Sequence, residues 1–187
     1  MKPSLDHYKL YKYADRIKSQ SIDNIQYKDF TYVINGIKER IIFICGSNEG
    51  KDWAVNTYAF GLTSHRGYQK MAKKLMKHLG IKRKTIFIGQ SFGGGIVVEI
   101  NRKYRYLCKW SMTTGCPASV GVLNFGFRPK NHINYRIITD PVPTSWILWP
   151  WFRHAVKPTY LKDVEGFGFT NHLKPAYNEA FKKYFNL

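Results

Sequence analysis

Ser91 stands at the centre of Gly89-Gln90-Ser91-Phe92-Gly93, directly after Thr85-Ile86-Phe87-Ile88 and before Gly94-Gly95-Ile96-Val97-Val98. A serine hydroxyl is a weak nucleophile. It becomes an effective one when a neighbouring base takes its proton and an acid orients that base. Glycines two residues either side leave room for a sharp strand-to-helix turn, which lifts the hydroxyl off the end of a sheet. The helix that follows aims its first amides at the same point. The pattern is that of a nucleophile elbow, and its chemistry is acyl transfer.

The partners must come from further along the chain. The acids after Ser91 are Glu99, Asp140, Asp163, Glu165 and Glu179, and the histidines beyond Asp140 are His154 and His172. Asp140 follows Tyr135-Arg136-Ile137-Ile138-Thr139, which reads as a strand, so it falls on the same sheet edge as the elbow. Of these acids it alone does so. Either histidine has the right chain order, serine then acid then histidine, and position does not choose between them.

These residues need a scaffold, and the hydropathy pattern supplies one. Residues 5–18 read as an amphipathic helix with Tyr8, Tyr11, Ala14 and Ile17 on its apolar side. Asn24–Phe30 reads as connection. Phe30–Ile34, Asn35-Gly36 and Ile37–Cys45 form a hairpin, because Asn-Gly suits a turn needing positive φ at both central positions. Ile41-Ile42-Phe43-Ile44 is apolar at consecutive positions, so both faces of that strand are buried. Arg66–Leu79 is a helix with Tyr68, Met71, Ala72, Leu75, Met76 and Leu79 inward and lysines outward, closed by Gly80. The elbow strand comes next, then a helix over about 92–103, strands at 106–113 and 135–139, and a last helix over 174–185. Strands and helices alternate through one α/β domain spanning residues 1–187, with a central, mostly parallel sheet.

Composition bounds the rest. The chain has 187 residues, 30 Lys and Arg against 12 Asp and Glu, and a formal charge of +18. Such a charge fits an ordinary solvated surface, and in a functional reading it draws anionic substrates or an anionic membrane surface; charge alone does not choose the partner. No nucleic-acid motif accompanies it, so nucleic acid is not the expected partner. Cys45, Cys108 and Cys116 are odd in number, and the spacing of eight between the last two suits no metal site, so buried free thiols are expected. No apolar run is long enough to span a bilayer, and Met1–Tyr8 shows no secretory core, which points to the cytoplasm. Acyl transfer by serine requires no metal and no cofactor.

Several blocks, in order, resemble the class 3 or fungal-type lipases. They are Ile42–Ser47 with Asp52, Trp53 and Asn56; Ser64–Tyr68; Gly89–Gly94; Thr114–Gly121; Thr139–Pro143; Arg153–Ala155; and Asn171–Leu173. The resemblance runs from about residue 31 to 177. It implies an α/β-hydrolase fold and carboxylic-ester hydrolysis, with Ser91 as nucleophile, Asp140 as orienting acid and His172 as base. It also implies an oxyanion hole made by the Ser47 amide and hydroxyl with the Phe92 amide, and it puts His154 on a non-catalytic stretch. Two residues depart from the family pattern: Gln90 replaces a histidine, and Phe92 replaces a leucine and is bulky enough to narrow the site. Ala54–Ser64 leaves little room for a helical lid, which argues against emulsified triglyceride and for soluble or headgroup-bearing anionic esters. Trp146–Phe152 suits an acyl-binding wall, a membrane-dipping loop or aromatic core packing. The alternative to an enzyme is a hydrolase-fold binding protein that uses its basic surface on an anionic partner. Such a protein has no need of a serine, acid and histidine in catalytic order.

Overall fold

The computed structural model describes residues 1–46, 66–121, 127–129, 131–142, 152–162 and 172–187. The elements are α1 (Leu5–Tyr13), β1 (Gln20–Ile22), β2 (Ile25–Ile34), β3 (Ile37–Ile44), α2 (Arg66–Leu79), β4 (Thr85–Gln90) and α3 (Phe92–Lys103). They continue with β5 (Cys108–Thr114), β6 (Val120–Gly121), β7 (His132–Ile137), β8 (Phe152–Arg153), β9 (Thr159–Leu161) and α4 (Lys174–Phe185). A seven-stranded sheet runs in the order β1-β2-β3-β4-β5-β7-β9. β1, β2 and β3 pair antiparallel, β3, β4, β5, β7 and β9 pair parallel, and β6 and β8 form a separate antiparallel pair. This is an α/β-hydrolase-like arrangement, a mostly parallel sheet with helices on its faces. No helix among the described residues is long and apolar enough to cross a membrane.

The apolar run in β3 shows how the layers form. Ile41 and Phe43 enter the core beneath α1 and α4, while Ile42 and Ile44 enter the core beneath α2 and α3. β4 divides the same way, with Ile86 and Ile88 on the first side and Phe87 on the second. Successive strand side chains point to opposite faces, so an unbroken apolar run buries both. Each fully buried Ile or Phe contributes about 1.5–3 kcal/mol. Under α1 and α4 the centre is aromatic: the Phe181 ring lies 4.8 Å from Tyr135, 5.5 Å from Tyr11 and 5.9 Å from Tyr8.

The hairpin turns at Asn35 and Gly36, with φ of 50° and 76°, and Gly80 closes α2 at φ 54°. Three expectations need correction. Asn24–Phe30 is not connection: Asp23 and Asn24 adopt φ of 46° and 66°, making a second tight turn, and β2 starts at Ile25. The amphipathic helix ends at Tyr13 with a 3-10 turn over Ala14–Arg16, where Lys28 Nζ donates to the Ala14 carbonyl at 2.6 Å. β7 starts at His132, three residues before the expected start at Tyr135. Its early residues are buried through polar contacts: His132 Nδ1 meets Ser111 Oγ at 2.7 Å, and Thr113 Oγ1 donates to Asn134 Oδ1 at 3.0 Å. Ala54–Ser64, residues 143–151 and residues 163–171 lie outside the described residues, and with them the expected minimal lid and most of the tryptophan segment.

Two histidines are buried neutral. Burial lowers His132 to about 3, and lowers His7 to about 4 with Asp6 partly offsetting it. An unfolded chain holds both imidazoles near the ordinary value of about 6.5. Between these values the unfolded state therefore binds more protons, and stability rises with pH. The urea midpoint should fall as pH drops from 7 to 4.5, with about two protons taken up on unfolding at the lower end. His132→Gln should roughly halve that slope.

Candidate active site

The parallel strands end level with one another. Ile44 pairs with Gly89, and Gln90 pairs with Thr114, so Gly46, Ser91 and Gly115 stand side by side just past the carboxyl ends of β3, β4 and β5. Asp140 follows β7 on the same edge, its amide bonded to the Ile137 carbonyl at 3.2 Å. Loops at this edge are where open α/β sheets carry their chemistry.

Ser91 has φ 51° and ψ −122°, between β4 and α3. Its amide donates to the Thr114 carbonyl at 2.8 Å, and its carbonyl accepts from the Gly94 amide at 2.8 Å. The turn closes only without side chains at its flanks. A Cβ on Gly89 would lie 2.4 Å from the Gly93 carbonyl oxygen, and one on Gly93 would lie 2.3 Å from that of Ile44. The small residues are thus required by backbone contact with β3 as well as by the turn itself.

His172 Nε2 lies 2.6 Å from Ser91 Oγ. On its other side His172 Nδ1 lies 3.0 and 2.9 Å from the two oxygens of Asp140. The Asp140 carboxylate is fully buried and holds two further donors: the Val142 amide to Oδ1 at 3.0 Å and the Tyr177 hydroxyl to Oδ2 at 2.7 Å. Tyr177 also accepts from the Ile137 amide at 3.4 Å. Burial, and then the Asp140 charge beside it, hold the Tyr177 hydroxyl well above the usual tyrosine range, so it stays a donor. The position of Tyr177 on the inner face of α4 marks it as core, and its second role has no separate sequence signature. Gly115, at φ 57°, is the other unforeseen residue. A Cβ there would come within 2.9 Å of His172 Cε1 and 3.0 Å of Asp140 Oδ2.

The structure therefore brings Ser91, His172 and Asp140 into one hydrogen-bonded line. It leaves His154 in the coil after β8, where its carbonyl accepts from Arg153. The buried contact between Ser111 and His132 is of another kind. Asn101 Nδ2 donates to Ser111 Oγ at 2.8 Å, and Thr113 Oγ1 stands 3.4 Å from His132 Nε2, so amide and hydroxyl groups satisfy the pair in place of an acid. Phe92 starts α3, which puts its amide beside Ser91. Its ring, 5% exposed, packs edge-on against Tyr68 at 5.3 Å. It belongs to the core beneath α2 and α3 and does not narrow the site, contrary to the expectation from its size. Ser47 lies outside the described residues; Gly46 before it approaches Ser91, with only 3.2 Å between a Cβ built there and Ser91 Cβ. All three cysteines are free thiols, with Cys116 buried and Cys45 and Cys108 partly so. Burial pushes Cys108 up to about 11 and raises the other two as well. Among the described residues no three His, Cys, Asp or Glu side chains converge as metal ligands would.

A half-open cavity of about 380 Å³ adjoins this line of residues, with Ser91 and His172 in its wall.

No protein-family profile matches the chain, and no curated protein matches its sequence. Solved structures do resemble it. The Lip2 lipase of Yarrowia lipolytica superposes with a TM-score of 0.50 at 9% identity, over 85% of this chain and 80% of that one. A fungal lipase solved as an inhibitor complex also gives 0.50, at 14% identity, over 79% of this chain and 65% of its own length. At such identities the likeness speaks for the fold alone. The chain has an α/β-hydrolase fold of the lipase-like kind.

Proposed function

We propose that the protein is a serine carboxylic-ester hydrolase that works through an acyl-enzyme on Ser91. The observation that carries this reading is the line from Ser91 Oγ to His172 Nε2 at 2.6 Å and from His172 Nδ1 to Asp140 at 2.9 Å, with Ser91 on a strained elbow. A binding module gains nothing from this order of groups. The lipase-like fold supports a lipid or other carboxylic ester as substrate.

In this mechanism His172 Nε2 takes the Ser91 proton as Oγ attacks the ester carbonyl carbon. The carbonyl oxygen becomes an oxyanion, which the Phe92 amide and the α3 dipole stabilise, with the Ser47 amide and hydroxyl expected to complete the hole. The tetrahedral species collapses, its ester C–O bond breaks, and the leaving alcohol takes the proton from His172. Water repeats the sequence on the acyl-enzyme: His172 removes its proton, the acid is released, and Ser91 regains its hydrogen. Asp140 holds the imidazole with Nδ1–H toward the carboxylate and balances the imidazolium charge at each transfer. Tyr177 and the Val142 amide fix the carboxylate in turn.

A fluorophosphonate should add once to the intact protein, as read by mass, and Ser91→Ala should abolish the adduct. Persistent labelling of that variant would refute the assignment, and an unlabelled wild type would favour the binding-protein alternative. Tyr177→Phe removes one donor from Asp140, an interaction to a charged group worth about 1.5–3 kcal/mol. It should lower kcat about tenfold while leaving KM near its original value. In Gly115→Ala the added methyl must displace the His172–Asp140 pair, and misplacement on this scale costs on the order of 10² in rate. The labelling rate should fall accordingly, with circular dichroism showing a folded protein.

A further inference from the structure

The cavity beside Ser91 joins an apolar wall to a charged one. Phe43, Cys45, Leu173 and Pro175 supply apolar surface, while Asp15, Lys28 and Lys174 place charge in the same wall beside Ser19, Gln26 and Gln90. A fatty chain needs apolar lining, and polar groups left facing it would each lose their water. The volume of about 380 Å³ lies near the small end of the roughly 300–1,000 Å³ range of ligand pockets. Such a space suits a compact polar group.

Its charge is the more specific feature. Lys174 is the first residue of α4, where the helix dipole disfavours a cation, and no acidic residue occupies that first turn to offset it. Its side chain is only a fifth exposed. The ammonium lies 4.5 Å from the Phe43 ring centre and 5.0 Å from that of Tyr11, and it pairs with Asp15. Burial lowers Lys174 below the ordinary lysine range, Asp15 opposes this, and the charge of nearby Lys28 adds to it. Lys28 is itself half-buried, with one proton committed to the Ala14 carbonyl. Two lysines and one aspartate leave the cavity one positive charge in excess, at the amino end of a helix. Asp15 offsets Lys174 at this disfavoured position, Lys28 adds a second positive charge nearby, and an anion bound between the two lysines balances that excess.

We propose that this cavity receives a carboxylate or phosphate carried by the substrate, so that the enzyme selects esters bearing an anionic group, with Lys28 and Lys174 as the selecting residues. The proposal rests on the hydrolase reading for turnover, but the anion site itself does not. It gives the overall charge of +18 a local counterpart at the reacting serine.

The test compares near-isosteric esters. For wild type, kcat/KM for 4-nitrophenyl hemiglutarate should exceed that for 4-nitrophenyl valerate at least tenfold at low salt. Butyryl glycerol phosphate set against butyrylglycerol places the charge on the alcohol side instead, and whichever pair shows the preference identifies the part of the ester that enters the cavity. Lys28→Gln and Lys174→Gln should each reduce the ratio several-fold, and Lys28→Arg should retain most of it. A ratio at or below one in both pairs, or one unmoved by both Gln variants, would overturn the proposal. Calorimetry of glutarate and of glycerol phosphate with Ser91→Ala supplies a readout independent of turnover, and binding of one of them should be lost in the lysine variants. Lysine-dependent binding without ester turnover would remove the hydrolase reading and leave the anion site standing. Ester turnover with neither preference nor binding would do the reverse.

Discussion

Ser91 holds φ at 51° and ψ at −122°, a conformation that costs a non-glycine residue on the order of 1–3 kcal/mol. It persists because its surroundings leave no relaxed alternative. β4 fixes the chain on one side through full burial between β3 and β5, and α3 fixes it on the other. The contact of Gly93 with the Ile44 carbonyl draws the start of α3 onto the end of β3. One strained residue thereby ties three elements together, and it aims a hydroxyl at the sheet edge where His172 arrives.

The opposite half of the site depends on α4. Its start and the two residues before it bring His172, Lys174 and Tyr177 within six residues, and these meet respectively the serine, the cavity and the buried acid. The helix is anchored by Phe181 within an aromatic cluster drawn from α1 and β7. Packing deep in that core therefore sets the position of the imidazole. A cavity made at Phe181 would act on chemistry that Phe181 never touches, since loss of such a side chain costs about 3–5 kcal/mol and lets α4 shift.

What the sequence made legible was what local spacing encodes. The Gly-x-Ser-x-Gly placement, the inward rows of α2, the two-sided burial of β3 and the Asn35-Gly36 turn follow from periods and turn chemistry, and the structure has them where those rules put them. The miss at β2 came from weighing Asn35-Gly36 as a turn while passing over Asp23-Asn24, which turns just as tightly. β7 began early because His132 and Asn134 are buried by hydrogen bonds, which hydropathy scores as exposure. Phe92 showed the converse: its size was plain, but the direction of its ring depended on Tyr68, a partner twenty-four residues upstream. Tyr177 and Gly115 were hidden for a similar reason, since each acts through a neighbour that only the folded chain supplies.

The sheet is bounded among its described strands by β1 and β9, of three residues each. An edge strand offers unpaired amides and carbonyls that a second chain can extend, and the hazard grows with the length of flat edge exposed. β1 covers only the first three residues of the ten-residue β2, so on that margin the protection comes from charge: a chain at +18 repels its own copies. Crowded copies of this protein, whether newly made or concentrated for study, are thus shielded from the strand-to-strand aggregation to which a seven-stranded sheet would otherwise be prone.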